Sequence, residues 1–208
     1  MATHTARFLA GAADPAQFPQ LDWPEIAFAG RSNVGKSSLM NRLVGHRGLA
    51  RVSKTPGRTQ QINFFLVDER LTLVDLPGYG FAHVPTAIRW RWKRLVETYL
   101  SRRRNLRAVV VIIDLRRGIE SDEEQLCTYL AALRIPVILV ATKSDKLAYG
   151  ERQRRAQALD EAQVSGIAAR FLCSGHTGEG LLQLWRQIEA CAREVGCSRG
   201  KAHARDEI

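Results

Sequence analysis

Short apolar runs alternate with longer segments of helical period along most of the chain. Residues 26–29, 108–113 and 135–141 are unbroken apolar stretches. That is the pattern of strands buried on both faces of a parallel sheet. Residues 61–67 and 71–75 read as two more strands, joined at Asp68-Glu69-Arg70 in an antiparallel hairpin. Residues 169–173 form a last short strand. Helices are expected over 38–43 (ended by Gly45), 86–104, 121–133, 151–164 and 181–195. Ser121 is the expected N-cap of the third, with Glu124 at the capping-box position. In 86–104 the residues Ile88, Trp92, Leu95, Val96 and Tyr99 share one face and are candidate core. Leu184, Trp185 and Ile188 do the same in the last helix. Residues 1–20 show little periodicity and read as an arm. One domain over 21–195 follows, and 196–208 is a polar tail. Strand–helix alternation makes the class α/β.

Composition narrows this picture. The chain has 208 residues, 45% of them hydrophobic, enough for one full core. The start carries no long apolar stretch behind a basic segment, so no secretory signal is read. The apolar runs are too short to cross a bilayer, and a cytoplasmic protein is expected. Cys127, Cys173, Cys191 and Cys197 make no C-x-x-C pair, which favours free thiols over a zinc site. Net charge is +10, which favours a polyanionic partner. The charge is clustered: Arg89, Arg91, Lys93, Arg94, Arg102, Arg103, Arg104 and Arg107 face one acid, Glu97. Trp90 lies on the helix face opposite the core, among these cations, as an RNA or protein contact would place it. A solvated basic face is the plainer alternative.

The chemistry centres on Gly30-Arg31-Ser32-Asn33-Val34-Gly35-Lys36-Ser37, which fits G-x-x-x-x-G-K-[ST] between a strand and a helix. Glycines let backbone N–H groups curl around phosphate oxygens, and the helix N-terminus adds positive charge there. Lys36 can reach the outer phosphates and the Ser37 hydroxyl can bind Mg²⁺. The basic loop 45–60 follows, where a threonine, Thr55 or Thr59, would complete the metal shell. Asp75 ends a strand three residues before Gly78. Its carboxylate can hold Mg²⁺ through water, and the Gly78 N–H can face the γ-phosphate. Tyr79 follows, where many GTPases carry a glutamine that orients water.

Thr142-Lys143-Ser144-Asp145 ends the strand 136–141 and decides the base. A carboxylate at Asp145 accepts from guanine N1–H and the 2-amino group. Adenine would leave it unpaired, a discrimination of ~10⁴ or more. The Lys143 stem can pack across the base plane, and a backbone N–H of Cys173-Ser174-Gly175 can meet guanine O6. An ATP-dependent kinase is disfavoured by Asp145 and by the lack of a catalytic base.

In order, these signals resemble the five motifs of Ras-like translation-factor-class GTPases. The stretches 53–60 (Ser-Lys-Thr-Pro-Gly-Arg-Thr-Gln) and 75–82 (Asp-Leu-Pro-Gly-Tyr-Gly-Phe-Ala), with Thr-Lys-Ser-Asp, resemble the EngB (YihA/YsxC) family, of the TrmE-Era-EngA-EngB-Septin-like class. The resemblance covers roughly residues 20–195. It implies a Ras-like fold: a six-stranded, mostly parallel sheet with one antiparallel strand and helices on both faces. It places the GTP site on Gly30, Arg31, Ser32, Asn33, Val34, Gly35, Lys36 and Ser37; on Gly57, Arg58, Thr59, Gln60 and Gln61; on Asp75, Leu76, Pro77 and Gly78; on Thr142, Lys143, Ser144 and Asp145; and on Leu172, Cys173 and Ser174. It implies slow hydrolysis with Mg²⁺ on Ser37 and Thr59, and catalytic roles for Lys36, Thr59 and Gly78. It makes Asn33 a candidate ligand for K⁺. It further implies a monomer acting in assembly of the large ribosomal subunit, through rRNA or ribosomal proteins, and needed for cell division and septation. The candidate RNA contacts are Arg89, Trp90, Arg91, Lys93, Arg94, Arg102, Arg103 and Arg104. The alternative is a GTP-sensing module on the division machinery, with hydrolysis incidental.

Overall fold

The computed structural model describes residues 3–46, 48–50, 61–79 and 86–193, with side chains from residue 93 in the last segment. The strands are β1 (Ala6–Ala12), β2 (Glu25–Gly30), β3 (Ile62–Val67), β4 (Leu71–Asp75), β5 (Leu106–Asp114), β6 (Val137–Thr142) and β7 (Ile167–Leu172). The helices are α1 (Lys36–Val44), α2 (Thr86–Arg102), α3 (Ser121–Ala132), α4 (Tyr149–Glu161) and α5 (Leu181–Arg193). The strands make one sheet in the order β1-β3-β4-β2-β5-β6-β7. Only β3 runs against the rest, pairing antiparallel with β1 and with β4. The mixed α/β fold is the expected one, but the sheet has seven strands and not six. The extra strand is β1, inside the segment read as an arm.

Alternation along each strand fills two cores. On one face Phe28, Leu73, Val110, Ile112 and Val140 pack with Leu39 and Leu43 of α1 and with Leu184 and Ile188 of α5. On the other, Ala27, Val74, Val109, Val111 and Leu139 pack with Leu95 and Tyr99 of α2, Cys127 of α3 and Leu159 of α4. Being sealed on both faces is what makes the central strands read as unbroken apolar runs. Leu95 and Tyr99 are core as expected, while Ile88 and Trp92 fall outside the described side chains.

Two local readings are corrected. The N-cap of α3 is Glu120, one residue before Ser121, and the capping box joins Glu120 to Glu123. The Glu123 carboxylate takes the Glu120 N–H at 3.0 Å. The fourth helix starts at Tyr149, two residues before the expected start, and stops at Glu161, three before the expected end. The Asp68-Glu69 hairpin holds, with both residues at positive φ (50° and 48°). That pair of angles fits a tight two-residue turn. Cys127, Cys173 and Cys191 are buried thiols outside any disulfide; Cys197 lies outside the described residues. Among the described residues no helix is long and apolar enough to cross a membrane.

Candidate functional site

β2, β4, β5, β6 and β7 end on one side of the sheet, where open α/β sheets take ligands. β2 stops at Gly30. A Cβ there would meet Ile112 O at 2.8 Å and Val34 Cγ1 at 3.0 Å, so glycine lets the strand turn straight into the loop. The loop needs two left-handed residues, Asn33 (φ 63°) and Gly35 (φ 105°). Glycine takes that region without strain and asparagine tolerates it. Helix α1 begins at once with Lys36, and Gly45 closes it in the left-handed conformation. Its first N–H groups and positive end therefore open onto the loop.

The stretch after β4 is stitched to the same loop. Leu76 N donates to Phe28 O at 3.0 Å and Ser32 N donates to Tyr79 O at 3.2 Å. A Cβ on Gly78 would lie 3.1 Å from Ser32 Oγ and 3.4 Å from Gly30 O. Lys36 Nζ is bonded to the Asp75 carboxylate. The two groups a nucleotide and its metal would need thus satisfy each other. The Ser32 hydroxyl is buried without a hydrogen-bond partner, a donor that a phosphate oxygen would pair. Tyr79 packs its ring inward. Burial and the facing Glu123 carboxylate hold its hydroxyl far above the ordinary phenol range.

The donor set here suits a hard cation. Ser37, half-buried in the first turn of α1, offers a hydroxyl, and Asp75 offers a carboxylate. Among the described residues no group of three or more His, Cys, Asp or Glu could hold a metal ion. Mg²⁺ needs no such cage, because one or two protein oxygens, phosphates and water complete its shell. The residues present therefore fit Mg²⁺. Gly57, Arg58, Thr59 and Gln60 lie outside the described residues. Gln61 sits just before β3, beside the end of β1. It donates to Asn63 Oδ1 at 3.0 Å and lies against Gly11 of β1.

At the other end of the cleft, Thr142 stands where asparagine is usual. Its hydroxyl lies 2.7 Å from Val34 O and 2.9 Å from Ile113 O, and its single proton serves either. The shorter side chain thus ties the loop to β5. Lys143, at φ 63°, donates from Nζ to Asn33 O at 2.8 Å and pairs with Asp114 Oδ2 at 3.0 Å. Its stem therefore spans from the 142–145 turn to the phosphate loop. Asp145 accepts from Ser174 Oγ at 2.7 Å. That bond, ahead of the opposing effect of burial, holds the Asp145 carboxyl below its ordinary range. Ser174 Oγ in turn accepts from Thr177 N at 3.0 Å. Ser144 Oγ donates to Glu179, which Arg152 also holds. Cys173 N is taken by Ala141 O at 2.8 Å and Ser174 N by Glu179 O at 3.1 Å. Of the three N–H groups expected to meet guanine O6, two are therefore spoken for, which leaves Gly175.

The match to known proteins follows the same geometry. Residues 25–143 match the family described as 50S ribosome-binding GTPase. A probable GTP-binding protein EngB of Geobacter sp. (strain M21) is 46% identical over 91% of this chain and 89% of its own length. One from Streptococcus equi subsp. equi (strain 4047) is 53% identical over 71% of this chain and 74% of its own length. The chain belongs to the EngB family of GTP-binding proteins. A crystal structure of a probable engB protein has a TM-score of 0.64 and 29% identity, covering 82% of this chain and 99% of that one. Era, with MgGDPNP and nucleotides 1506–1542 of 16S ribosomal RNA, shares the fold at TM-score 0.66 and 18% identity, covering 91% of this chain and 61% of that one. The EngB family is a GTPase family, and this chain is a GTPase.

The basic segment divides on inspection. Lys93, Arg94, Arg102 and Arg104 are exposed. Arg103 is not a surface cation: its guanidinium donates to both Glu25 oxygens at 2.6–2.9 Å and to Pro19 O at 2.7 Å. Glu25 is fully buried and also accepts from Tyr99 at 2.9 Å. Burial opposes the Arg103 charge, but the Glu25 bond outweighs it and holds its pKa above normal. The RNA role read for Arg103 is therefore corrected to a structural one. The side chains of Arg89, Trp90 and Arg91 lie outside those described. Sequence reasoning missed Asp114 and Glu179. Asp114 carried the same signal as Asp75, an acid on the last residue of a buried strand. Glu179 carried none, being one acid in a polar turn.

Proposed function

We propose that this EngB-family GTPase binds GTP at the strand ends just described and acts as a cytoplasmic, monomeric switch in assembly of the large ribosomal subunit. The observation that carries the reading is the row Lys36, Asp75, Lys143 and Asp145, set at the start of α1 (Lys36), at the end of β4 (Asp75) and on the turn after β6 (Lys143 and Asp145). Lys36 would leave Asp75 for the outer phosphates, and Ser37 and, through water, Asp75 would hold Mg²⁺. The bound ion neutralises charge on the phosphates. Gly30 to Gly35 supply backbone donors, and Gly78 N–H faces the γ-phosphate. Thr59 would complete the metal shell, and Asn33 is the candidate ligand for K⁺. Asp145 reads guanine, and the Lys143 stem covers one face of the base. Among the described residues no side-chain base follows Gly78, where Tyr79 stands, which supports slow hydrolysis. The exposed cations Lys93, Arg94, Arg102 and Arg104, with the family's description as 50S ribosome-binding, support a precursor of the large subunit as partner. Effects on division and septation would follow from ribosome supply.

Asp145→Asn tests the site. An amide cannot accept both guanine donors, but it can donate to the C2 carbonyl of xanthine. GTP affinity should fall by roughly 100-fold or more while xanthosine triphosphate binding rises. Retention of GTP affinity would sink the assignment. The partner is tested by sedimentation with ribosomal particles. Salt-sensitive co-migration with large-subunit particles, only with a non-hydrolysable GTP analogue, is the expected outcome.

A further inference from the structure

Asp114 is a buried carboxylate with no role in the site so far. It ends β5, is 7% exposed and stands between two cations. Arg116 donates to it at 2.9 and 2.7 Å, and Lys143 Nζ lies 3.0 Å from Oδ2. Burial would raise its carboxyl, but the Arg116 and Lys143 bonds outweigh that and hold it well below the ordinary range. It is therefore ionised whenever the protein is folded near neutrality.

We propose that Asp114 is a positioning residue for nucleotide binding, acting through the Lys143 ammonium. Lys143 has four flexible carbons and a side chain that is 30% exposed. Left to itself, such a stem samples many rotamers, and fixing it costs entropy. Two anchors at its far end, Asn33 O and Asp114, stretch the stem across the mouth of the base site before any nucleotide arrives. One anchor is neutral. Asp114 supplies the charge, and a charge-assisted bond is roughly twice as strong as a neutral one. The carboxylate also lines a cavity of about 470 Å³ beside Arg31, Asn33 and Glu120, so water reaches the neighbourhood and a single neutral anchor would face competition.

A plainer role competes. Asp114 Oδ1 accepts from Arg116 N at 3.1 Å, and its backbone carbonyl takes Arg117 N and Gly118 N. In that role it caps its own turn. Asparagine makes that turn equally well, so Asp114→Asn keeps the cap and removes the charge.

The inference rests on the reading of the Lys143 stem as the base platform, and the experiment separates the two. Dissociation constants for GDP and a non-hydrolysable GTP analogue are measured for Asp114→Asn, Lys143→Met, the double variant, Lys143→Ala and Arg116→Ala, with thermal unfolding beside each. Asp114→Asn should weaken GDP and the analogue equally, by roughly tenfold, through faster dissociation. Equality follows because the base, not the γ-phosphate, feels the change. In the Lys143→Met background, which keeps the stem and drops the ammonium, Asp114→Asn should cost less than twofold more. Arg116→Ala should leave both constants within twofold. If Lys143→Met binds like the parent, anchoring of the ammonium does not matter and the role of Asp114 fails; if Lys143→Ala, which removes the stem, binds like the parent, the base-platform reading fails instead. If Lys143→Met is weak and Asp114→Asn is not, only the role of Asp114 fails. Losses that multiply in the double variant, or an Arg116→Ala loss equal to that of Asp114→Asn, would assign Asp114 to its turn instead.

Discussion

Arg102, Arg103 and Arg104 look alike in the sequence and do different things. Arg102 and Arg104 are exposed, whereas the side chain of Arg103 is 11% exposed and paired to a fully buried Glu25. Removing one partner of a buried pair leaves an uncompensated charge, which costs about 3–5 kcal/mol. Arg103→Ala should therefore lower the unfolding midpoint by on the order of 10 °C. The pair Arg102→Ala/Arg104→Ala should leave that midpoint within about 2 °C and weaken salt-sensitive association with ribosomal particles. Equal midpoints for the two variants in a thermal melt would contradict the assignment. The same scale explains what a sequence hides. A run of arginines reveals charge but not which member faces Glu25, 78 residues earlier in the chain. Asp75, Lys36 and Asp145 stood out in the sequence because phosphate and guanine chemistry would call for those types at those places, and the structure sets all three on one rim of the sheet. Asp114 and Glu179 act on other side chains, and no ligand's chemistry dictates their identity.

At the scale of elements, strand ends and helix starts form the site, and glycines set how closely they meet. Gly180 precedes α5 at φ 72°, and a Cβ there would lie 2.0 Å from Leu172 O and 3.0 Å from Cys173 Sγ. Gly180→Ala must therefore shift α5 away from β7 or distort the turn that carries Ser174 and Glu179. We expect a loss of at least about 2 kcal/mol in urea unfolding, together with weaker guanine nucleotide binding. A variant as stable as the parent would show that the turn yields cheaply. The central strands and the hairpin were legible because burial on both faces, or a polar turn between apolar runs, leaves a plain pattern. β1 was not. It is an edge strand of mostly small residues, its register slips between Phe8 and Ala10, and Phe8 is 53% exposed. A bulged edge strand has no period to read. The α3 cap was missed by one residue because glutamate competed with the better-known serine.

Across the whole molecule, one sheet separates two cores and brings both sides of the site to a common rim. α1 and α5 hold the loop face, while α2, α3 and α4 hold the other. Tyr79 bridges the two: its backbone carbonyl takes Ser32 N, and its ring packs with the α3 side. The seventh strand has a consequence of a different kind. Without β1, the outer side of β3 would be a bare row of backbone donors and acceptors along Ile-Asn-Phe-Phe-Leu-Val, apolar, uncharged and free of proline. Such a segment is a template for intermolecular cross-β stacking. β1 caps it with a strand that is kinked, holds glycine and carries the charge of Arg7. Deleting residues 1–12 should thus make the protein pellet on mild warming and bind an amyloid dye, where the full chain does neither. The proposed phosphate- and base-reading residues all lie after β1, so what the first dozen residues guard is the sheet edge against pairing with other chains.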